Sequence, residues 1–249
     1  MDRRLPSTGV SAGDPTRHRH GGRDAASAGP VGPARAGTPS VGPVPDPDRV
    51  TEALRDLIET VRTADLSTVD PAELAEIEGV LTGLTRRLAP HTVAALRTQA
   101  ALVPSQRRWS PDDIEIGSFF PYSPVSGTRN PVAPPLRLWR EGDRVRGEVT
   151  VRSTYNGPPD GVHGGYVAAL LDELLGATCV ALGKGGFTGT LTVRYHSLTP
   201  LETPLALEGW IAGEERRKVF ARGELRAGER LCAAAEGIFI RSDFDAGWT

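Results

Sequence analysis

The chain has 249 residues, with 29 basic and 31 acidic side chains and a formal net charge of −2. This length favours one medium domain with additional segments, and a nearly neutral chain gives no reason to expect nucleic acid or an anionic membrane as a partner. Both cysteines, Cys179 and Cys232, lie in apolar segments, which favours buried thiols over a disulfide or a metal pair. The first residues lack the apolar stretch of a secretory signal, so we expect a soluble, cytoplasmic protein.

Residues 1–47 are dominated by Gly, Pro, Ala, Ser and Arg and show no apolar periodicity. Such a composition buries too little apolar surface to offset the entropy of ordering the chain. The sequence therefore predicts a disordered tail.

Residues 48–103 carry helical patterns that predict a helical hairpin extension. The first helix, with Asp48 as its expected N-cap, has the apolar stripe Val50, Leu54, Leu57, Ile58 and Val61. The second begins with Asp70 as N-cap and Pro71 at the first helical position, and its stripe is Leu74, Ile77, Leu81, Leu84 and Leu88. That seam requires a partner helix. We expect the hairpin, with a third helical piece at 92–103, to pack on the main domain or on another subunit.

Residues 104–135 are rich in proline and predict an irregular connector. Two strands follow, because apolar side chains alternate on either side of a turn at 141–143. Those side chains are Leu136, Leu138, Val145, Val149 and Val151.

The run from 164 to 182 is apolar almost all round, which predicts a helix enclosed by the rest of the domain. Asp172 and Glu173 interrupt it at its centre, which argues against a membrane span. Carboxylates inside such a helix are costly unless they are partnered or used. Asp172 is therefore the candidate catalytic group, while a partly exposed carboxylate at the domain rim is the interpretation for Glu173.

Four more strands are predicted after the helix, in 188–197, 205–211, 219–225 and 231–240, joined by short turns. Closely spaced strands favour an antiparallel sheet, and one helix is enclosed only if the sheet curls around it. The fold class is therefore α+β, with a curled antiparallel sheet around one long helix in 136–243.

Four segments together resemble the PaaI-like acyl-CoA thioesterases of the hotdog superfamily. They are GPPDGVHGG, YVAALLDELLG, GTLTVRYHSLTPL and LCAAAEGIFI. The resemblance covers residues 120–243 and includes a His-Gly-Gly with an Asp nine residues after the His. It implies a hotdog fold and hydrolysis of acyl-CoA to a carboxylic acid and free CoA. The segments before residue 120 lie outside it.

Gly164 and Gly165 stand at the start of the helix, where amides lack intrahelical partners at the positive end of the dipole. Such amides suit a carbonyl that develops negative charge. The resemblance supports Gly164 as the donor, with Gly165 allowing close approach of the acyl group. Asp172 is then the candidate base or nucleophile. The alternative for the glycine pair is a tight turn without a catalytic role.

The spacing of Gly164 and Asp172 predicts a dimer. Eight residues of helix span about 12 Å along the axis, whereas catalytic groups must lie within about 3 Å of the atoms on which they act. If both groups act on one carbonyl, they come from different subunits, with the helices antiparallel across a two-fold axis. The resemblance also implies such dimers, which leaves a homodimer or a dimer of dimers open.

The resemblance implies roles for three further residues. Thr188 would lie beside Asp172 and orient water, although strand propensity alone also explains a threonine there. Asn156 would position the nucleophilic water, although its spacing to His163 differs by one from the family pattern. His163 is expected to fix the loop by hydrogen bonding, with direct proton transfer as the alternative.

A basic cluster follows Glu215 at a strand start, where Arg217 and Lys218 are candidate ligands for the CoA phosphates. A solvated turn is the alternative interpretation. We expect no metal and no redox cofactor.

Three alternatives to a thioesterase stay open at this stage. One is a non-catalytic acyl-CoA sensor with residues 48–103 as its output module. The second is a hotdog dehydratase, disfavoured because the helix contains no His. The third gives residues 48–103 a helix-turn-helix role, which the absence of a basic recognition face argues against.

Overall fold

The structure is a computed structural model that describes residues 46–92, 99 and 120–241. Residues 1–45 of the expected tail lie outside the described residues. The same holds for most of the expected third helical piece and for residues 104–119 of the connector. The described part of the connector, from 120 to 135, consists of turns and irregular segments.

The main domain contains one six-stranded antiparallel sheet. Its strands are β1 (Arg137–Glu141), β2 (Arg144–Thr150), β3 (Gly186–Tyr195), β4 (Pro204–Glu215), β5 (Lys218–Ala227) and β6 (Arg230–Arg241). They are ordered β1-β2-β4-β5-β6-β3, so β3 crosses to the far edge after the helix. This confirms the predicted pair of strands before the helix and four strands after it.

Helix α3 (Gly164–Ala181) lies against the concave face and contacts all six strands. Its leucines at 170, 171, 174 and 175 are completely buried. The length and composition of α3 would also suit a membrane span, but half of the helix is buried within the fold. The predicted helix wrapped by a curled sheet is therefore confirmed.

Glycines in the central strands let α3 approach the sheet closely. Gly209 of β4 and Gly223 of β5 are direct cross-strand partners. A Cβ at Gly209 would lie 2.4 Å from Thr178 Oγ1, and a Cβ at Gly223 would lie 2.9 Å from Leu174 Cδ2. A side chain at either position would therefore force the α3 side chains that contact it to shift.

Helix α1 (Pro47–Thr63) is capped by Asp46, whose carboxylate accepts from the Asp48 amide at 3.0 Å. The expected cap at Asp48 was therefore wrong by two residues, because Pro47 already begins the helix at a position that needs no amide donor. Asp48 instead lies in the first turn, where its negative charge interacts favourably with the positive end of the helix dipole.

The polar side of α1, rather than its apolar stripe, docks on the main domain. The Arg55 guanidinium donates to the carbonyls of Gly127 at 2.7 Å, Asn130 at 2.9 Å and Ala133 at 3.0 Å. The stripe residues Val50, Leu54 and Val61 are exposed. This fork of guanidinium donors against turn carbonyls helps to hold α1 on the domain, together with Glu59, whose carboxylate accepts from the Thr154 amide at 2.9 Å.

Helix α2 (Pro71–Leu88) begins as predicted, with the Asp70 carboxylate accepting from the Ala72 amide at 2.8 Å. None of its residues is buried. The helix does not pack along α1, so the two described helices do not form the closed hairpin that the sequence predicted. The physical reason is that α1 is held on the main domain by polar contacts, such as those of Arg55 with the Gly127 carbonyl and of Glu59 with the Thr154 amide.

Candidate active site

The loop before α3 is held by backbone hydrogen bonds. The His163 amide donates to the Tyr155 carbonyl at 2.9 Å, and the Val162 amide donates to the Thr199 carbonyl at 2.9 Å. His163 then caps α3, because its Nδ1 accepts from the Gly165 amide at 3.0 Å. An accepting Nδ1 requires a proton on Nε2 in the neutral ring. This is the loop-fixing role that the sequence suggested for His163.

The cap distinguishes the two glycine amides. His163 Nδ1 occupies the Gly165 amide, and the His163 carbonyl accepts from the amides of Tyr166 at 2.9 Å and Val167 at 3.1 Å. Among the described residues, no hydrogen-bond acceptor for the Gly164 amide is present. Gly164 therefore supplies the one available donor in the first turn of α3, at the positive end of the helix dipole.

Tyr195 adds a contact that the sequence analysis did not assign. Its hydroxyl donates to the Gly164 carbonyl at 2.8 Å, which ties the first turn of α3 to the end of β3. The side chain is 54% exposed. A tyrosine on the helix-facing side of an edge strand was the available signal, but the partner carbonyl lies 31 residues away.

Asp172 lies further along α3, where Thr188 reaches it from β3. The Thr188 hydroxyl donates to Asp172 Oδ1 at 3.0 Å. Both side chains are at least partly exposed, so water and a substrate reach the carboxylate. The structure thus brings together the expected Thr188 and Asp172.

Glu173, one residue further along, has a different environment. Its Oε1 accepts from Ser123 Oγ at 2.7 Å and also from the Ser126 hydroxyl. Burial raises the pKa of Glu173 above its ordinary value, while the two serine hydroxyls oppose that rise. Glu173 is thus a partly exposed carboxylate that two serine hydroxyls hold, because the turns of the connector fold over this position.

Asn156 does not reach Asp172 within the chain. Its amide nitrogen donates to the carbonyls of Gly157 at 3.4 Å and Pro158 at 3.2 Å. Its Oδ1 accepts from Arg62 of α1 at 3.2 Å. The side chain thus belongs to the loop at the N-terminal end of α3.

The candidate phosphate ligands lie at the turn between β4 and β5. The Arg217 guanidinium donates to the Arg241 carbonyl through Nη2 at 2.9 Å, and Lys218 is exposed at the start of β5. Arg241 pairs with Gly186 at the start of β3. The basic turn therefore lies at the same end of the sheet as Thr188.

The two halves of the candidate site stay apart within one chain. The Gly164 half contacts Tyr195 at the end of β3, whereas the Asp172 half contacts Thr188 near its start. Helix and strand run in opposite directions, so the halves lie near opposite ends of β3. Neither half alone contains both a carbonyl-polarising donor and a carboxylate.

Residues 46–92 and 120–241 were also compared with the requirements of metal and thiol chemistry. No group of three or more His, Cys, Asp or Glu side chains is gathered there as a metal site. Cys179 and Cys232 are both buried and free, and burial raises the pKa of the Cys179 thiol to about 12. The Cys179 thiol is therefore not a nucleophile at neutral pH.

Comparison with known proteins identifies similar chains. The family model described as thioesterase superfamily matches residues 161–234. A solved structure of a thioesterase superfamily protein is 33% identical with a TM-score of 0.66, covering 80% of this chain and 96% of its own. That likeness includes the curled sheet and α3 and extends beyond the segment matched by the family model.

Two curated relatives are similar over a shorter segment. Acyl-coenzyme A thioesterase THEM4 of Xenopus laevis is 34% identical over 87 residues, which is 34% of this chain and 39% of its own. Acyl-coenzyme A thioesterase THEM5 of Homo sapiens is 29% identical over 91 residues, covering 36% of this chain and 37% of its own. The matched part thus spans less than half the length of each of these relatives.

Proposed function

The chain belongs to the thioesterase superfamily and has its hotdog fold, and from that premise we propose that it hydrolyses acyl-CoA thioesters to a carboxylic acid and free CoA. The observation that carries the proposal is the complementary pair of half-sites on α3. One half offers an unoccupied amide at Gly164, and the other offers a carboxylate at Asp172 held by Thr188.

In this mechanism the Gly164 amide donates to the thioester carbonyl oxygen. A backbone donor at the start of a helix favours the negative charge that develops on this oxygen. Asp172 either takes a proton from the water that adds to the carbonyl carbon or attacks that carbon itself. In both routes the C–S bond breaks and the CoA thiolate leaves, and in the second route water then hydrolyses the anhydride formed with Asp172. Thr188 orients the carboxylate through its hydroxyl, so that one oxygen is directed at the reacting atoms.

The mechanism requires two copies of the chain, because a single copy separates Gly164 from Asp172. The edge strand β3 supplies a surface for the second copy, since within residues 46–92 and 120–241 no strand pairs with its outer side. Unpaired strand edges with exposed aromatic side chains, such as Tyr195, favour pairing with another chain. We place β3 of two copies side by side, with the two α3 helices antiparallel across a two-fold axis.

The turn between β4 and β5 is the proposed contact for the phosphates of CoA. Arg217 and Lys218 present cations at the end of the sheet that also holds Thr188. Arg217 keeps donors for a phosphate because the Arg241 carbonyl accepts only from its Nε and Nη2. The pantetheine arm of CoA would then extend from this end toward Asp172, with the acyl group beyond the thioester.

The primary experiment follows release of free thiol from a panel of acyl-CoAs. We expect Asp172→Asn to lower kcat by about 100-fold or more, because it removes the base or nucleophile. Asp143→Asn, in the turn between β1 and β2, is the matched control and should keep wild-type turnover. Equal activity in the two variants would exclude Asp172. Binding of acyl-CoA without turnover by the wild type would favour a sensor.

A second experiment tests the shared site. Gly164→Pro removes only the amide donor, since proline is well tolerated at the first position of a helix. Co-expression of differently tagged Gly164→Pro and Asp172→Asn chains gives mixed dimers with one intact site. We expect about a quarter of wild-type activity in the equal mixture, because half of the dimers carry one of two sites. Absence of recovery would contradict a site shared between subunits.

A further inference from the structure

Helix α2 presents an apolar stripe that nothing in the described structure covers. The stripe repeats at alternating steps of three and four, which places its members along one face: Leu74, Ile77, Leu81, Leu84 and Leu88. Ile77 is 42% exposed, Leu84 43% and Leu88 57%. A regular seam of this kind is typical of a helix that packs lengthwise against another helix.

The charges of α2 are divided between its two ends. Acidic side chains stand in the first half of the helix, at Glu73, Glu76 and Glu78, and the last turn carries Arg86 and Arg87. A parallel neighbour with the same sequence would place like charges together. An antiparallel neighbour would place the acidic half of each helix beside the basic end of the other, and the two helix dipoles would also oppose one another.

We propose that α2 pairs with α2 of a second copy of the chain, antiparallel and with the apolar stripes in contact. Full overlap of the two stripes places the two-fold axis at Leu81, which lies midway between Leu74 and Leu88. Such a contact uses the same surface on both copies and closes at two.

This pairing goes beyond the proposed function and does not depend on it. The catalytic dimer uses β3 and α3, whereas the α2 contact uses a helix outside the segment matched by the family model. If the two contacts use different two-fold axes, α2 joins two catalytic dimers. Turnover and α2 pairing are therefore measured separately.

Single-cysteine crosslinking of the full chain tests the geometry, because the native cysteines are buried. Paired helices lie about 8–10 Å apart, so a thiol crosslinker of about that span should join two Leu81→Cys chains. Two Leu74→Cys chains would present their thiols about 20 Å apart along the axis and should not be joined. A mixture of Leu74→Cys and Leu88→Cys chains should be joined efficiently.

Thr82→Cys, one residue away and off the stripe, is the matched control for random collision. Crosslinking of Leu74→Cys to itself would overturn the antiparallel arrangement. The pairing would be overturned by equal yields from Leu81→Cys and Thr82→Cys or by no crosslinking at any position. Either result would favour another segment of the chain as the part that covers the apolar stripe of α2. The same pattern is expected in the Asp172→Asn background, which separates this result from failure of the proposed function.

Sedimentation supplies a second measurement. Leu81→Lys would bury two ammonium groups at the two-fold axis, and we expect it to raise the dissociation constant of the α2 contact by about tenfold or more. Thr82→Lys should leave the dissociation constant unchanged. Equal dissociation constants in the two variants would contradict the proposal.

Discussion

The hydroxyl of Thr188 lies 3.0 Å from Oδ1 of Asp172, although strict strand alternation would direct it to the opposite face of the sheet. The residues Leu191, Val193 and Tyr195 face α3, and period-two counting back from them excludes Thr188. The pairing shifts between Thr188 and Thr190, with Gly189 as the extra residue. This bulge turns Thr188 toward the helix, as bulges beside active sites often do.

Removal of the Thr188 hydroxyl should reduce turnover. Thr188→Val keeps the shape of the side chain but leaves Asp172 without this donor, and we expect kcat to fall about tenfold, as for loss of a hydrogen bond to a charged group. Thr188→Ser retains the hydroxyl and should stay within a few-fold of wild type. Steady-state hydrolysis of the best acyl-CoA measures both. Equal kcat values for Val and Ser would show that the hydroxyl has no role.

A side chain at Gly189 should disturb the bulge. A Cβ at this position would lie 3.1 Å from Ile240 Cγ1 and 3.3 Å from the Ile238 carbonyl. We expect Gly189→Val to lower the free energy of unfolding by about 1–3 kcal/mol. We also expect it to reduce turnover, as Thr188→Val does. Urea unfolding and thioester hydrolysis measure the two effects.

Gly213→Val is the matched control for the bulge variant, because a Cβ there meets no atom within 4 Å. It lies beside the register shift in β4. Equal losses of activity in the two valine variants would show that the bulge at Gly189 does not position Thr188.

Glu173 should make stability depend on pH. Burial raises its folded-state pKa, the charge of Asp172 adds to the rise, and the hydroxyls of Ser126 and Ser123 oppose it. The contribution of Glu173 to stability is complete below the pKa of a glutamate in the unfolded chain, about 4.3. This contribution is lost as pH rises through the folded-state pKa. Relative to wild type, Glu173→Gln should therefore gain Tm as pH rises from about 4 toward 8.

Thermal unfolding across this pH range measures the difference between Glu173→Gln and wild type. Glu229→Gln, in the turn between β5 and β6, is the control and should follow the wild-type profile. A Tm difference for Glu173→Gln that stays constant with pH would contradict the environment described for this carboxylate.

Arg55 should hold α1 on the domain through the shape of its guanidinium. Burial lowers the pKa of Arg55, and three carbonyls accept from its Nε and Nη2 within 3.0 Å. Arg55→Lys cannot reproduce this fork and should lower the free energy of unfolding by about 2 kcal/mol. Arg49→Lys, on the exposed side of α1, should be neutral. Equal urea midpoints for the two variants would exclude this docking role.

The sequence by itself determined the order of helices and strands, the enclosed helix and the candidate carboxylate at Asp172. Periodicity and turn residues act over short stretches, so the pattern of α3 and its flanking strands was sufficient to predict the fold. The cap of α2 at Asp70 followed for the same reason, since a capping bond joins residues two apart.

Only the tertiary structure decided which side chains meet. Glu173 finds its partners 50 and 47 residues away, at Ser123 and Ser126, and Tyr195 finds the Gly164 carbonyl 31 residues away. Thr188 depends on a one-residue bulge that leaves no clear trace in the hydrophobic pattern. Such contacts arise from how separate elements pack, and hydrophobic periodicity specifies which face of an element is buried but not which polar group lies opposite it.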